Sequence, residues 1–405
     1  MKIRSITGFI APKHGVDTAA IGSLPNLVKE ASAKLNRAGY EVQTTRLATT
    51  PFPQWIQPLT QSRAVEAAVE AEMAVTDSGF DFISLGPTSP DILESFHFVP
   101  EMLKETKISF LGGIAATRKA GIVMDALKAC AEIIQKVSTL EANGFGNLRF
   151  ATLANVPPGS PFFPAAYHIG SKLAFAFATQ AADLAVHAFE TASSIADGAR
   201  SLTTSIEENG KQLAKIAEEF SRKYDIPFAG IDFSLAPFPE ERDSLGAAFE
   251  RMGVQAAGEH GSLAAAALLT QAIDAADFPR TGFNGLLLPP LEDSVLAKRA
   301  AEGRLAVGDL LLYSAVCGTG LDTIPLPGNV TVEQLSVLLL DVCALALRLD
   351  KPLTARLMPI PGKSAGDETQ FDFPYFANTR VLELKSAGLS GLLAASENIS
   401  IRPRS

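Results

Sequence analysis

Phe80-Asp81-Phe82-Ile83-Ser84-Leu85-Gly86 is a short apolar run stopped by Pro87, the signature of a buried strand. Helical periodicity over residues 63–78 precedes it. Earlier still, residues 21–39 repeat apolar positions at helical spacing, end on a glycine and lead into a strand-like stretch at 40–44, so the chain opens as strand, helix, strand. Downstream come a short strand at 108–113, a helix at 121–136 and an alternating strand at 148–154 closed by Pro157 and Pro158. Residues 173–224 lack proline and read as two long helices broken near Gly198 or Gly210. A strand at 228–235, helices at 243–252 and 262–275, and a strand at 283–288 follow. Thr331 and Gln334 have the spacing of a capping box at the head of the buried helix 335–349, and Pro352 precedes a strand at 354–361. This alternation predicts an α/β fold with a mostly parallel sheet, closed or nearly closed into a barrel, whose site lies where strand ends converge. Residues 1–377 read as a single domain and 378–405 as a peripheral tail.

The 405 residues are 47% apolar and 20% charged, the balance of a compact globular protein. Forty-four acids against 35 bases give a net charge of -9, and no basic cluster offers the footprint that nucleic acid requires. Cys130, Cys317 and Cys343 are odd in number and far apart, which suggests neither a disulfide framework nor a thiolate zinc site and fits a reducing, cytoplasmic setting. The N-terminus has no signal-like apolar core, and the apolar stretch 335–349 is too short to cross a membrane, which takes about 20 residues.

Familiar motifs fail on inspection. Gly362-Lys363-Ser364 resembles the end of a phosphate loop, but Leu357 stands where its first glycine belongs. Gly144-Phe145-Gly146 precedes a strand instead of following one, so no dinucleotide fingerprint and no nucleotide cofactor are expected. Neither a G-x-S-x-G elbow nor an H-E-x-x-H helix occurs.

What remains is a set of polar residues at strand ends. Asn155 follows the strand ending at Ala154, and His168 lies in the apolar loop Pro161-Phe162-Phe163-Pro164-Ala165-Ala166-Tyr167-His168, where it could act as acid, base or ligand, or be a core histidine bonded to backbone. Asp232 sits inside the apolar strand 228–235, where a carboxylate needs a cation or several donors; capping a neighbouring loop would also meet that need. Glu292-Asp293 could hold a hard cation such as Mg²⁺ or Ca²⁺, although acids at the N-terminus of a helix over 294–302 explain them equally well. Cys317, on the glycine-bearing turn Ser314-Ala315-Val316-Cys317-Gly318-Thr319-Gly320-Leu321-Asp322, could be a nucleophile or a small buried hydrophobe. Lys363 could bind an anion or be a solvated loop lysine, and Arg118 and Asp322 complete the candidate substrate contacts.

Several segments together resemble the uncharacterised family named domain of unknown function 711: Ile3-Arg4-Ser5-Ile6-Thr7-Gly8, Lys119-Ala120-Gly121-Ile122-Val123-Met124-Asp125-Ala126, Asp232-Phe233-Ser234-Leu235-Ala236-Pro237, Cys317-Gly318-Thr319-Gly320-Leu321-Asp322 and Pro361-Gly362-Lys363-Ser364-Ala365-Gly366-Asp367. That family is similar in fold to pyruvate formate-lyase, which implies a ten-stranded α/β barrel with surrounding helices and an interior loop carrying a cysteine, in or near which Cys317 would lie. A glycyl radical is not implied, because Arg380-Val381-Leu382-Glu383-Leu384 has glutamate where R-V-x-G-Y requires glycine. The family's F-H-G-x-G-E stretch here reads Tyr167-His168-Ile169-Gly170-Ser171, without its acid.

The resulting expectation is a radical-independent hydrolase or lyase acting on a small anionic metabolite. Cys317, His168 and Asp232 are its catalytic candidates; Asn155, Lys363, Arg118 and Asp322 its substrate contacts; and Asp232, Glu292 and Asp293 a site for Mg²⁺ or Ca²⁺. A homodimer is expected, with no nucleic-acid or membrane partner. The alternative is a metabolite-binding protein without chemistry.

Overall fold

The computed structural model describes residues 1–404. Its strands are β1 (Lys2–Ile10), β2 (Thr45–Thr49), β3 (Phe82–Thr88), β4 (Ser109–Thr117), β5 (Gly121–Ile122), β6 (Phe150–Ala154), β7 (Ala174–Gln180), β8 (Phe228–Asp232), β9 (Gly320–Pro327) and β10 (Leu353–Ile360). They form one ten-stranded mixed sheet in the order β8-β7-β1-β2-β3-β4-β6-β10-β9, with β5 paired to β4. Strands β1, β2, β3, β4 and β6 run parallel to one another. β7 and β10 meet that block antiparallel, and β8 and β9 run with β7 and β10. The sheet is therefore two parallel blocks of opposite direction, not one mostly parallel array. No ladder joins β8 to β9, but residues 280–288 lie between them. Two isolated parallel bridges tie this segment to β8 and its continuation, and the Thr319 hydroxyl donates to the Leu286 carbonyl.

The outer face of the sheet, with Ile3, Ile6, Leu47, Ile83, Leu111, Phe175, Phe177 and Leu357, packs beneath the helices in one continuous core. The inner face buries Phe9, Ala48, Phe110 and Ala176 against Phe163 and Ala166, and Ala151 and Leu153 against Phe162 and Ala165. The proline-rich loop 156–168 thus lies inside the fold. Four prolines remove backbone donors that would otherwise need partners. The Ser84 hydroxyl donates to the Ala166 carbonyl at 2.7 Å and the His168 amide to Thr49 at 2.9 Å, fixing the loop to β3 and β2.

Several elements differ from the periodicity reading: the strand read at 40–44 lies at Thr45–Thr49, and the one read at 283–288 makes only an isolated bridge at Leu286. Residues 174–180, read as helix within the proline-free stretch 173–224, alternate Ala-Phe-Ala-Phe, and that period of two places Phe175 and Phe177 on the outer face of β7. The helix Ile195–Tyr224 passes through Gly198 and Gly210 unbroken, because both glycines serve close packing: a Cβ would stand 2.6 Å from the Phe189 ring and 2.7 Å from Phe278. The predicted capping box at Thr331 and Gln334 is present. The tail crosses the outer surface, where Ile399 pairs with Ile122 and the Leu382 amide donates to Pro325. Among the described residues, no helix is long and apolar enough to cross a membrane.

Candidate functional site

A cavity of about 460 Å³ opens at the end of the sheet where β1, β2, β3 and β4 begin and β7 ends. Arg4, Arg46 and Arg356 line it together with Glu292. Bulges set two of these arginines. The β1–β7 register slips between Ile3 and Ser5, leaving Arg4 unpaired, and Arg356 faces the two residues Asp322 and Thr323 across the slip between β10 and β9. Such bulges re-aim a side chain that regular alternation would direct elsewhere.

The charged groups form a chain. Asp322 Oδ1 accepts from Arg356 Nε at 2.5 Å, Glu292 Oε1 from Arg356 at 3.1 Å, and Glu292 Oε2 from Arg4 at 3.2 Å. Asp322 and Arg356 are buried, and Asp322 Oδ2 has no hydrogen-bond partner among the described residues. Burial pushes the Glu292 carboxyl above its ordinary range, against the pull of Arg356 and Arg4. Arg46 differs from its neighbours. Its Nε donates to Thr44 Oγ1 at 2.9 Å, and its guanidinium lies 5.2 Å from the Phe163 ring centre and 5.9 Å from Phe82. It makes no ion pair among the described residues. Burial, then repulsion from Arg4 and Arg356, brings its acidity constant down to about 9. Six bases and two acids line the cavity of a protein whose overall charge is -9. Such a cavity suits an anion.

Most residues expected from the sequence are elsewhere. Cys317 is buried in the outer helical core, not on an interior loop; the loop inside the fold is 156–168, which has no cysteine. The glycines beside Cys317 admit backbone, since a Cβ on Gly285 would stand 2.5 Å from the Gly318 nitrogen. Lys351 secures this turn by donating to the Ala315 and Cys317 carbonyls. Cys317→Ala is therefore expected to cost about 1 kcal/mol of stability and to leave ligand binding unchanged, as measured by urea unfolding beside a binding titration. His168 stacks on Phe9 with ring centres 5.8 Å apart, and its Nε2 lies 2.8 Å from the Lys172 carbonyl. Burial lowers its basicity, and the ring is a backbone-bonded core histidine. Arg118 and Asn155 gather on Asp350 beyond the C-terminal ends of β4 and β6, the opposite end of the sheet from the cavity. Lys363 lies on the turn after β10 and does not line the cavity.

The three acids expected to hold Mg²⁺ or Ca²⁺ do not converge. Asp232 accepts from the Ser234 hydroxyl at 2.5 Å and from the Phe283 and Asn284 amides at 3.0 Å each, which pins the loop after residue 280. Asp293 caps the helix Ser294–Ala301 and also accepts from the Leu245 and Gly246 amides and the Ser244 hydroxyl. Glu292 faces the arginines. Among the described residues, no three His, Cys, Asp or Glu side chains form a group able to hold a metal ion.

Arg4, Arg46 and Arg356 were not among the candidates, although each interrupts a strand-like run as Asp232 does. The sequence pattern of the family described as Uncharacterised ACR (DUF711) matches residues 1–378. The chain belongs to that family. A UPF0210 protein of Pyrobaculum aerophilum is 32% identical over 353 residues, covering 82% of this chain and 76% of its own. UPF0210 proteins of Methanococcoides burtonii and Clostridium perfringens are each 28% identical, covering 86% and 85% of this chain and 81% and 80% of theirs. The DUF711 match spans the cavity residues Arg4, Arg46, Glu292 and Arg356 and ends where the surface tail begins.

Proposed function

We propose that this DUF711 protein acts on a small anionic metabolite held in the arginine-lined cavity, with Glu292 moving a proton in hydrolytic or lyase-type chemistry. One observation carries the reading: Arg46 presents a guanidinium to the cavity with no carboxylate bonded to it among the described residues, while Arg4 and Arg356 are already paired to Glu292 and Asp322. A half-buried cation with no bonded counter-ion is left partly desolvated, and a ligand anion would supply the partner. Glu292, held from two sides, can take a proton from a water or from a carbon acid and return it to a leaving group. In the same reading the segment 280–288 completes a barrel of two half-sheets, and the cavity is its mouth.

The test is to incubate the protein with a metabolite extract and follow which anionic compounds disappear. Glu292→Gln is expected to retain the compound and slow its consumption by about 10²-fold or more. Because burial raises the Glu292 carboxyl, its use as a base places the acid limb of the rate profile above the ordinary glutamate value of about 4.3, with activity falling as pH drops through it. Consumption at an unchanged rate in the glutamine variant would exclude Glu292. A specific observation favours the alternative of binding without chemistry: Cys317 and His168 both lie outside the cavity. That reading predicts retention of an unchanged compound by the wild type.

A further inference from the structure

Accepting the cavity as the ligand site, we infer the class of its ligand: a monocarboxylate on a planar, largely apolar body, not a phosphate ester. The charge balance gives the first argument. Within the bonded cluster, three guanidinium groups, of Arg4, Arg46 and Arg356, stand against two carboxylates, of Glu292 and Asp322, which leaves one positive charge there; Arg149 also lines the cavity, its guanidinium taken up by the Thr106 and Leu103 carbonyls, with the exposed Glu141 on the same wall. A monoanion neutralises it, whereas a dianion would leave a buried negative charge beside Glu292.

Geometry gives the second argument. The Arg46 Nε is held by Thr44 Oγ1, and the Thr44 hydroxyl itself donates to the Arg4 carbonyl at 2.7 Å, so the plane of the guanidinium is fixed. Its terminal nitrogens make no hydrogen bond among the described residues and form a planar fork, the match for a carboxylate's two oxygens. The forks of Arg4 and Arg356 are already engaged by carboxylates, so the several free donors that a phosphate group needs are absent from this wall. Lys104 and Lys107 are exposed, where solvent screens them and they act mainly to steer an anion inward.

The third argument is the wall around the fork. Phe163 and Phe82 flank Arg46, Phe110 meets both edge-on at 5.4 and 5.5 Å, and Phe145, Phe238 and Tyr375 continue the lining. Aromatic surfaces of this kind receive a ring or conjugated plane. Gln43 Nε2 donates to Gln180 Oε1 at 2.6 Å, which leaves the Gln43 carbonyl and the Gln180 amide to meet a polar edge of the ligand.

The test uses benzoate, benzyl alcohol and inorganic phosphate as probes of the full chain, titrated by calorimetry with ligand-observed NMR beside it. Benzoate is expected to bind at least about tenfold more tightly than either of the others, since only it combines the charge with the ring. Arg46→Gln should weaken benzoate by about tenfold or more, and Thr44→Val, which frees the guanidinium to rotate, by severalfold. The second variant keeps the test open if the first fails to fold. Phosphate binding as tightly as benzoate, benzoate binding untouched in both variants, or no benzoate binding at millimolar concentration would each overturn the inference. These outcomes are separate from the fate of the catalytic reading. Benzoate held on Arg46 together with an unchanged rate in Glu292→Gln would retain the ligand class and remove the proton-transfer role.

Discussion

Arg356→Met is expected to lower the stability of the protein by about 3–5 kcal/mol, the usual cost of removing one partner from a buried charge pair. Arg356 is the sole hydrogen-bond partner of Asp322 among the described residues and one of two for Glu292, and Asp322 has no exposed surface. Without the guanidinium, two carboxylates of like charge stay buried together. The Glu292 carboxyl, already raised by burial, loses the pull of Arg356 and rises further above its unfolded value, so the folded variant binds more protons than its unfolded chain. The sign follows: the deficit against wild type grows as pH rises through the carboxylate range and shrinks as pH falls toward about 4. Adding Asp322→Asn should recover part of the loss. Urea unfolding at two pH values checks this, and a pH-independent loss of under about 1 kcal/mol would show that the ion-pair chain does not hold this end of the sheet.

Asp293→Ala is expected to cost about 3–5 kcal/mol as well, for a different reason. Its carboxylate accepts from the Val295 and Leu296 amides as a helix cap and from Leu245, Gly246 and Ser244 on the facing helix start, so one side chain closes two helix N-termini in a buried position. Truncation strands these donors away from water. Asp293→Asn keeps one acceptor oxygen and should lose about 1–2 kcal/mol. Unfolding measured with and without a chelator separates this role from cation binding: the capping role predicts the same loss in both conditions, whereas a ligand role predicts that the chelator destabilises the wild type and leaves the alanine variant unchanged.

The order of strands and helices was legible because the periodicity was strong where one face was buried, as at residues 21–39 and 121–136. It failed where composition opposed pattern. The lack of proline across 173–224 hid the alternation of residues 174–180, and the glycines of the helix Ile195–Tyr224 looked like breaks although they mark close contacts with Phe189 and Phe278. Strand direction was not readable at all, since parallel and antiparallel neighbours share one alternation. That gap separates much of the expected site from the cavity. Asn155 and Arg118 follow strands of the first block and sit at its C-terminal end, while the cavity lies at the other end, where the oppositely directed block contributes Arg356 and Gln180. Glu292 was legible as an acid past an apolar run, although not its arginine partners. Asp232, Asp293 and His168 stood out because buried polar groups are costly, but each is met by backbone or hydroxyl partners, and a sequence does not reveal how such a group is satisfied. Arg46 carries the same signal, a charge within a strand, and lacks a carboxylate partner.

The most direct test of an anion site at Arg46 is anomalous diffraction from crystals soaked in p-bromobenzoate. The account predicts a carboxylate on the Arg46 fork and the bromine peak among Phe110, Phe145 and Phe238. Bromine found only beside Arg118 or Lys363, with the Arg46 cavity empty, would contradict it.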